Sequence, residues 1–379
     1  MAMSNLADNI SAALGRIEGY YGGVLPWLVR LYDPKTHGFY MTVSGMLDPD
    51  MEPAIEMTAW AMSMLANYTD LYTSMPEVIR EESIAFFLDR QDPVSGFYID
   101  KQGIANQREQ ARNQAAALGA IKRFGVSSRY PHPRDRGDSD VKSNALIPEY
   151  MASVESYIEW VESLPWQTNS WGAGDKTQSS LQYVKTLSKK DYEEYRQALI
   201  DWLCARQLDS GLWSPTLNFN SVSGAFKVGL VFSALGGKLP SPERIIASAF
   251  ECYSVDKTSS PFFVRNPLSV LRQISSYSEE YLGIIREKLI ENIDAVTASF
   301  GEFLCPDGAF SAAKGRSMIS FGGVTGSHGL FEGDIDATMM MLVARAELYR
   351  LLGEPMPILT HPEFWQTVLD KRAAYLSEN

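Results

Sequence analysis

The chain has 379 residues, 45% hydrophobic and 11% aromatic, enough for a large core, and a mean hydropathy of -0.16 that suits a soluble protein. A formal net charge of -12 and a pI near 5.0 argue against nucleic acid, which needs clustered Lys and Arg, and against anionic lipid surfaces. No apolar run is long enough to span a bilayer, and the first residues lack the basic and apolar segments of a signal peptide. The three cysteines, Cys204, Cys252 and Cys305, are dispersed as in a reducing compartment, so a cytoplasmic location is expected.

In chain order, a Gly turn preceded by an acid and followed by aromatics comes first at Asp33, Gly38, Phe39 and Tyr40. It returns at Gln91, Asp92, Gly96 and Tyr98, in full at Trp202, Gln207, Gly211 and Trp213, and again at Asp307, Gly308 and Phe310. Weaker copies lie over 166–174 and 253–266. Six units over 379 residues give about 60 residues each, room for two helices and their loops.

Each turn leads into a helix rich in small and apolar residues, predicted over 57–67, 113–124, 178–187, 223–235, 267–277 and 336–352. Between them run more polar, amphipathic segments such as 190–207 and 279–293. Buried helices alternating with amphipathic ones predict an all-α fold, an (α/α)6 toroid of six helical hairpins with inner and outer rings, formed by residues 1–379 as one domain. Residues 127–149 interrupt the rhythm with Arg129, Arg134, Asp135, Asp138 and three prolines, and read as an exposed polar loop insertion, a connector or a lid.

The turn has a physical logic. Gly takes the left-handed conformation that ends a helix, the following aromatic covers the helix end, and Gln91 or Gln207 can bond the last helix carbonyls. His37, inside the first turn, reads as exposed and structural.

The first residues of the inner helices should share one end of the fold, and they are polar: Glu52 and Glu56; Arg112 and Asn113; Asn169 and Asp175; Asn220 and Lys227; Arg265, Asn266 and Arg272; Asp334, Asp336 and Thr338. Asn and Asp there serve as helix caps or as part of a small-molecule site, whereas caps do not explain Arg112 or Lys227. Asp334 and Asp336 are either cap and first-turn acid, or a mutually repelling pair that retains a proton for general-acid chemistry. His328 sits on a Gly-rich loop just before them and suits a base. No His spacing calls for a metal, and no phosphate-binding Gly motif is present. Trp171 is either a stacking platform for a ligand ring or part of the third turn.

Residues 202–213 resemble the core of the QW repeat of the terpenoid cyclase and protein prenyltransferase superfamily, which implies an (α/α)6 barrel around a cavity. Asp334-Ile335-Asp336-Ala337-Thr338 resembles the Asp-x-Asp-Asp-Thr motif of class II cyclases, with Ala337 in place of the third acid. The resemblance implies that Asp336 protonates an alkene or epoxide, with Asp334 as its neighbour. The Cys-rich zinc segment of the prenyltransferases is missing. The expected function is a cyclase-like enzyme acting on an isoprenoid, without cofactor or metal. Two alternatives stand beside it. One is a lyase or hydrolase of acidic oligosaccharides on the same scaffold, using Asn169, Trp171, Asn220, Lys227 and Arg112; the other is a non-catalytic binding protein. The oligomeric state stays open.

Overall fold

The computed structural model describes residues 2–102, 107–131, 148–185 and 187–378. Most of the polar insertion, residues 132–147, lies outside the described residues. Among those described, secondary structure is helical apart from a short hairpin pairing Ser320–Phe321 with Val324–Thr325, so the fold class is all-α. The chain forms two compact units. Unit 1 comprises residues 1–13, 143–299 and 344–356, and unit 2 comprises residues 14–142, 300–343 and 357–379.

In unit 1 the helices Ser170–Val184, Phe219–Ala234 and Pro261–Ser275 pack side by side. Small residues permit the approach: a Cβ on Gly224 would lie 2.5 Å from Ser170 Oγ, and one on Gly174 would lie 2.7 Å from Lys227 Cβ. Phe219–Ala234 is accordingly buried on nearly every face. The neighbouring Lys189–Arg206 buries only Tyr195, Leu199 and Leu203, a single stripe at four-residue spacing. In unit 2, Ile55–Tyr68 packs against Gln107–Arg123 in the same way, and Val24–Arg30 packs against Phe364–Glu378.

The helices predicted over 57–67, 113–124, 178–187, 223–235, 267–277 and 336–352 are all present, but most begin earlier. The third begins at Ser170, so the segment read as a degenerate turn there is a helix start, with Asn169 capping the Gly172 N–H. The fifth begins at Pro261, which places Pro267 inside the helix.

The first two turns share one hydrogen-bond scheme, which shifts the first copy by a residue, while Gly211 and Gly308 close a shorter turn by donating to Leu208 O and Cys305 O. Gly96, Gly211 and Gly308 have φ of 74°, 80° and 94°, but in the first turn the left-handed residue is His37, at φ 65°. The His37 N–H donates to Asp33 O as Gly96 N–H donates to Asp92 O. Gly38 is needed for another reason: a Cβ there would overlap the Phe86 ring. The aromatic two residues on, Phe39, Tyr98, Trp213 or Phe310, is buried in every copy.

Gln91 and Gln207 do not bond the last helix carbonyls, as the sequence suggested. Their Nε2 groups donate to the turn glycines, Gly96 O and Gly211 O at 3.0 Å, and to a following loop, Tyr130 O and Pro240 O. The helix carbonyl is met by the Trp213 indole, which donates to Leu203 O at 2.8 Å.

A further link ties each turn of unit 2 to the next buried helix. The Phe39 N–H donates to Thr58 Oγ1, Tyr98 N–H to Gln114 Oε1 and Phe310 N–H to Thr338 Oγ1, at 3.0, 3.0 and 3.1 Å. Thr338 thus closes a turn, and the three links put Thr58, Gln114 and Thr338 in register.

Candidate functional site

That register decides what Asp336 is equivalent to. Two residues before each linking residue stand Glu56, Arg112 and Asp336, so three helices of unit 2 carry an ionisable side chain at one repeated position; Glu56 and Asp336 lie in a first turn, whereas Arg112, expected at a helix start, lies inside Gln107–Arg123. Asp336 and Glu56 are buried, and Arg112 is partly so.

Asp334 is fully buried and engaged by the backbone. One oxygen accepts from Ala337 N at 2.8 Å, the cap of the Ile335–Leu352 helix. The other accepts from Ala312 N at 2.9 Å and Met318 N at 3.1 Å. Burial pushes its carboxyl up to about 6, the three N–H groups oppose this, and Glu332 adds to it. Burial is therefore the leading cause, where the sequence had suggested repulsion by its neighbour. Asp336 is fully buried in the first turn of the same helix.

Glu56 and Arg112 meet directly, with Nη2 2.8 Å from Oε1 and Nε 3.2 Å from both oxygens. The guanidinium lies over the Phe321 ring at 4.4 Å, and Trp60 packs edge-on to that ring at 6.1 Å. The hairpin turn presses close, since a Cβ on Gly322 would sit 3.0 Å from Glu56 Oε2. His328 pairs through Nε2 with Asp48 at 2.9 Å and is half exposed. Its loop is fastened through Ser44, which donates from N and Oγ to Glu332 and accepts from His328 N. Asp48 also lines a recess of about 370 Å³ with Asp33, Tyr40 and Glu52.

Asp100 is an acid that the sequence reading missed. It is buried, accepts from Ile55 N at 2.8 Å and Asn113 Nδ2 at 3.1 Å, and is pushed up to about 6 chiefly by burial. In unit 1, Asp256 does the same for the Phe219 N–H at 2.8 Å. Both carboxylates cap a buried helix from a remote loop, a role that sequence neighbours do not signal.

Unit 1 brings Asn169, Trp171, Asp175, Asn220, Lys227 and Asn266 into a second group. Asn220 Nδ2 donates to Asn169 Oδ1 at 3.0 Å, and Trp171 packs on Phe262 and Phe263 at 5.2 and 5.6 Å. Lys227 Nζ pairs with Asp175 Oδ1 at 2.7 Å. The Phe226 ring has the Arg265 guanidinium at 4.5 Å and Lys227 Nζ at 5.9 Å. Arg265 Nη1 donates to Asn266 Oδ1 at 3.1 Å. The sequence placed Lys227, Arg265 and Asn266 at one end of the fold; Lys227 and Arg265 share the Phe226 ring, and Arg265 bonds Asn266. Among the described residues no three His, Cys, Asp or Glu side chains are grouped to hold a metal ion, and no helix is long and apolar enough to cross a membrane.

No family model matches the chain. A Lon protease of Clostridium acetobutylicum is 24% identical over 177 residues, which cover 40% of this chain and 21% of that protein. The chain thus spans about a fifth of the curated relative's length. Among solved structures, three of a type II terpene cyclase, MstE, from Scytonema align over 90% of this chain and 99% of theirs. Their identities are 14–15% and their TM-scores 0.41–0.42; two hold geranylgeranyl dihydroxybenzoate and one merosterolic acid A. Neither likeness is high enough to place the chain in a family.

Proposed function

We propose that this protein is a small-molecule enzyme of terpenoid-cyclase type whose reaction starts with proton transfer from Asp336 to an isoprenoid alkene or epoxide. The observation that carries the reading is the division of labour in the acid pair. Asp334 is held by three backbone N–H groups and serves as cap and staple, which leaves the donor role to Asp336. The first turn of a helix stabilises the carboxylate left behind, which strengthens the acid. Trp60 and Phe321 offer ring faces to a carbocation, as Phe321 already does to Arg112. The cation then loses a proton to a carboxylate, restoring the acid. The second reading, an enzyme of acidic oligosaccharides, draws support from the cations of unit 1, Lys227 and Arg265.

The test is incubation of wild type and Asp336→Asn with polyprenyl diphosphates, squalene-like hydrocarbons and acidic oligosaccharides, read by thermal shift and product analysis. Wild type should convert an isoprenoid to a cyclic product, and Asp336→Asn should lose about 100-fold or more in rate. Stabilisation and turnover with sugars alone would replace this reading by the second, and undiminished cyclisation by Asp336→Asn would remove Asp336 from the chemistry.

A further inference from the structure

Unit 1 contains a polar group that its own side chains do not complete. Asn266 is 1% exposed, its Oδ1 accepts from Arg265, and its Nδ2 is buried with no protein acceptor among the described residues. Ser269, one turn further along the same helix, and Ser223, on the neighbouring Phe219–Ala234 helix, also have buried hydroxyls without a partner there. A buried donor without an acceptor costs about 1–3 kcal/mol, so three on two packed helices call for something to receive them. Pro267 adds to the irregularity, because it has no N–H to give the Phe263 carbonyl.

The charge beside these donors selects the ligand. Lys227 and Arg265 face one ring, Phe226. Asp175 holds Lys227, and Glu347 lies within electrostatic reach of Arg265, Arg272 and Arg350. Lys227 and Arg265 thus bring two cations to one ring beside these donors, in a chain whose net charge is -12. A guanidinium fork, an ammonium, an amide N–H and serine hydroxyls are the donor set that an oxyanion takes.

We propose that Lys227, Arg265 and Asn266 form an oxyanion subsite that holds the phosphate or carboxylate end of a small molecule. The proposal rests on reading the packed helices of unit 1, Phe219–Ala234 and Pro261–Ser275, as part of a substrate site, and it is independent of which acid supplies a proton. Calorimetric titration of the full chain with inorganic pyrophosphate, and separately with benzoate, tests it without turnover. Saturable binding of pyrophosphate assigns the subsite to a phosphate end, and saturable binding of benzoate alone assigns it to a carboxylate end. In either arm Arg265→Met and Lys227→Met should weaken binding about tenfold or more. Asn266→Asp, nearly isosteric and able to keep the Arg265 contact, should do the same while circular dichroism shows a folded chain. Lys190→Met, on an exposed helix face of the same unit, should change nothing. Binding of neither anion, or equal weakening by Lys190→Met, overturns the proposal. Asp336→Asn should bind the anion as wild type does, so failure of the acid chemistry and failure of this subsite are separately visible.

Discussion

The acids of unit 2 and the polar cluster of unit 1 solve the burial of polar groups in opposite ways. Asp334 is satisfied by three backbone N–H groups, and Asp100 by the Ile55 N–H and the Asn113 amide, which fixes both as parts of the scaffold. Lys227, Arg265 and Asn266 meet other side chains, and Asn266 keeps a donor without a protein acceptor among the described residues. A carboxylate that serves three backbone donors cannot turn to a substrate without uncapping a helix. A side-chain pair can open at the cost of one contact. The lesson is that burial alone does not mark a functional group; what it is bonded to does.

The widest separation between the two regions should come from removing an acid in each. Asp334→Ala leaves three backbone N–H groups without their acceptor and should cost about 3 kcal/mol or more in urea unfolding. Asp175→Ala removes one partner of a partly exposed ion pair and should cost under about 1 kcal/mol. Equal losses would erase the distinction between scaffold acid and pairing acid.

A smaller contrast comes from one substitution made in both units. Thr58→Val and Thr338→Val each strand a buried N–H, that of Phe39 or Phe310, and should each cost about 1–3 kcal/mol. Thr177→Val in unit 1 removes only a bond back to Ala173 O within its own helix and should be near neutral, within about 0.5 kcal/mol. A large loss at Thr177, or none at Thr58 and Thr338, would break the register argument on which the equivalence of Glu56, Arg112 and Asp336 depends.

A third contrast is in the pH dependence. Asp334 and Asp100 are both pushed up to about 6 from an ordinary 3.8. Between those values the folded chain holds protons that the unfolded chain has released, so their contribution to stability is full below about pH 4, falls as pH rises and is flat above about pH 6. Urea midpoints from pH 4 to 7 should show that decline in wild type and a shallower one in Asp334→Asn and Asp100→Asn. Identical slopes in all three would mean that these acids do not titrate differently on folding.

The helical class and the existence of the buried helices were legible, because alternating apolar and amphipathic periodicity depends on the side chains of one segment at a time. The register of the first turn was not. A glycine at 38 invites alignment with Gly96, yet it is required by the nearby Phe86 ring, and the left-handed position falls on His37. The start of the third buried helix was also hidden, since Gly172 and Gly174 read as a turn until the helix that needs Gly174 for close approach is in place. Asp100 carried no local signal, as its partners are the Ile55 N–H and Asn113, both from other segments.

The sequence by itself determined an all-α chain with recurring helix-ending turns, and it named the polar residues at the helix starts, since composition, period and turn chemistry are local properties. Only the tertiary structure decided which of those residues are scaffold and which are open to a ligand. Asp334 became a staple when the Ala312 and Met318 N–H groups were brought to it, and Arg265 was tied to Lys227 by the Phe226 ring they share. Both outcomes depend on contacts between segments distant in the chain, and a carboxylate or a guanidinium has no role until its partners are fixed around it.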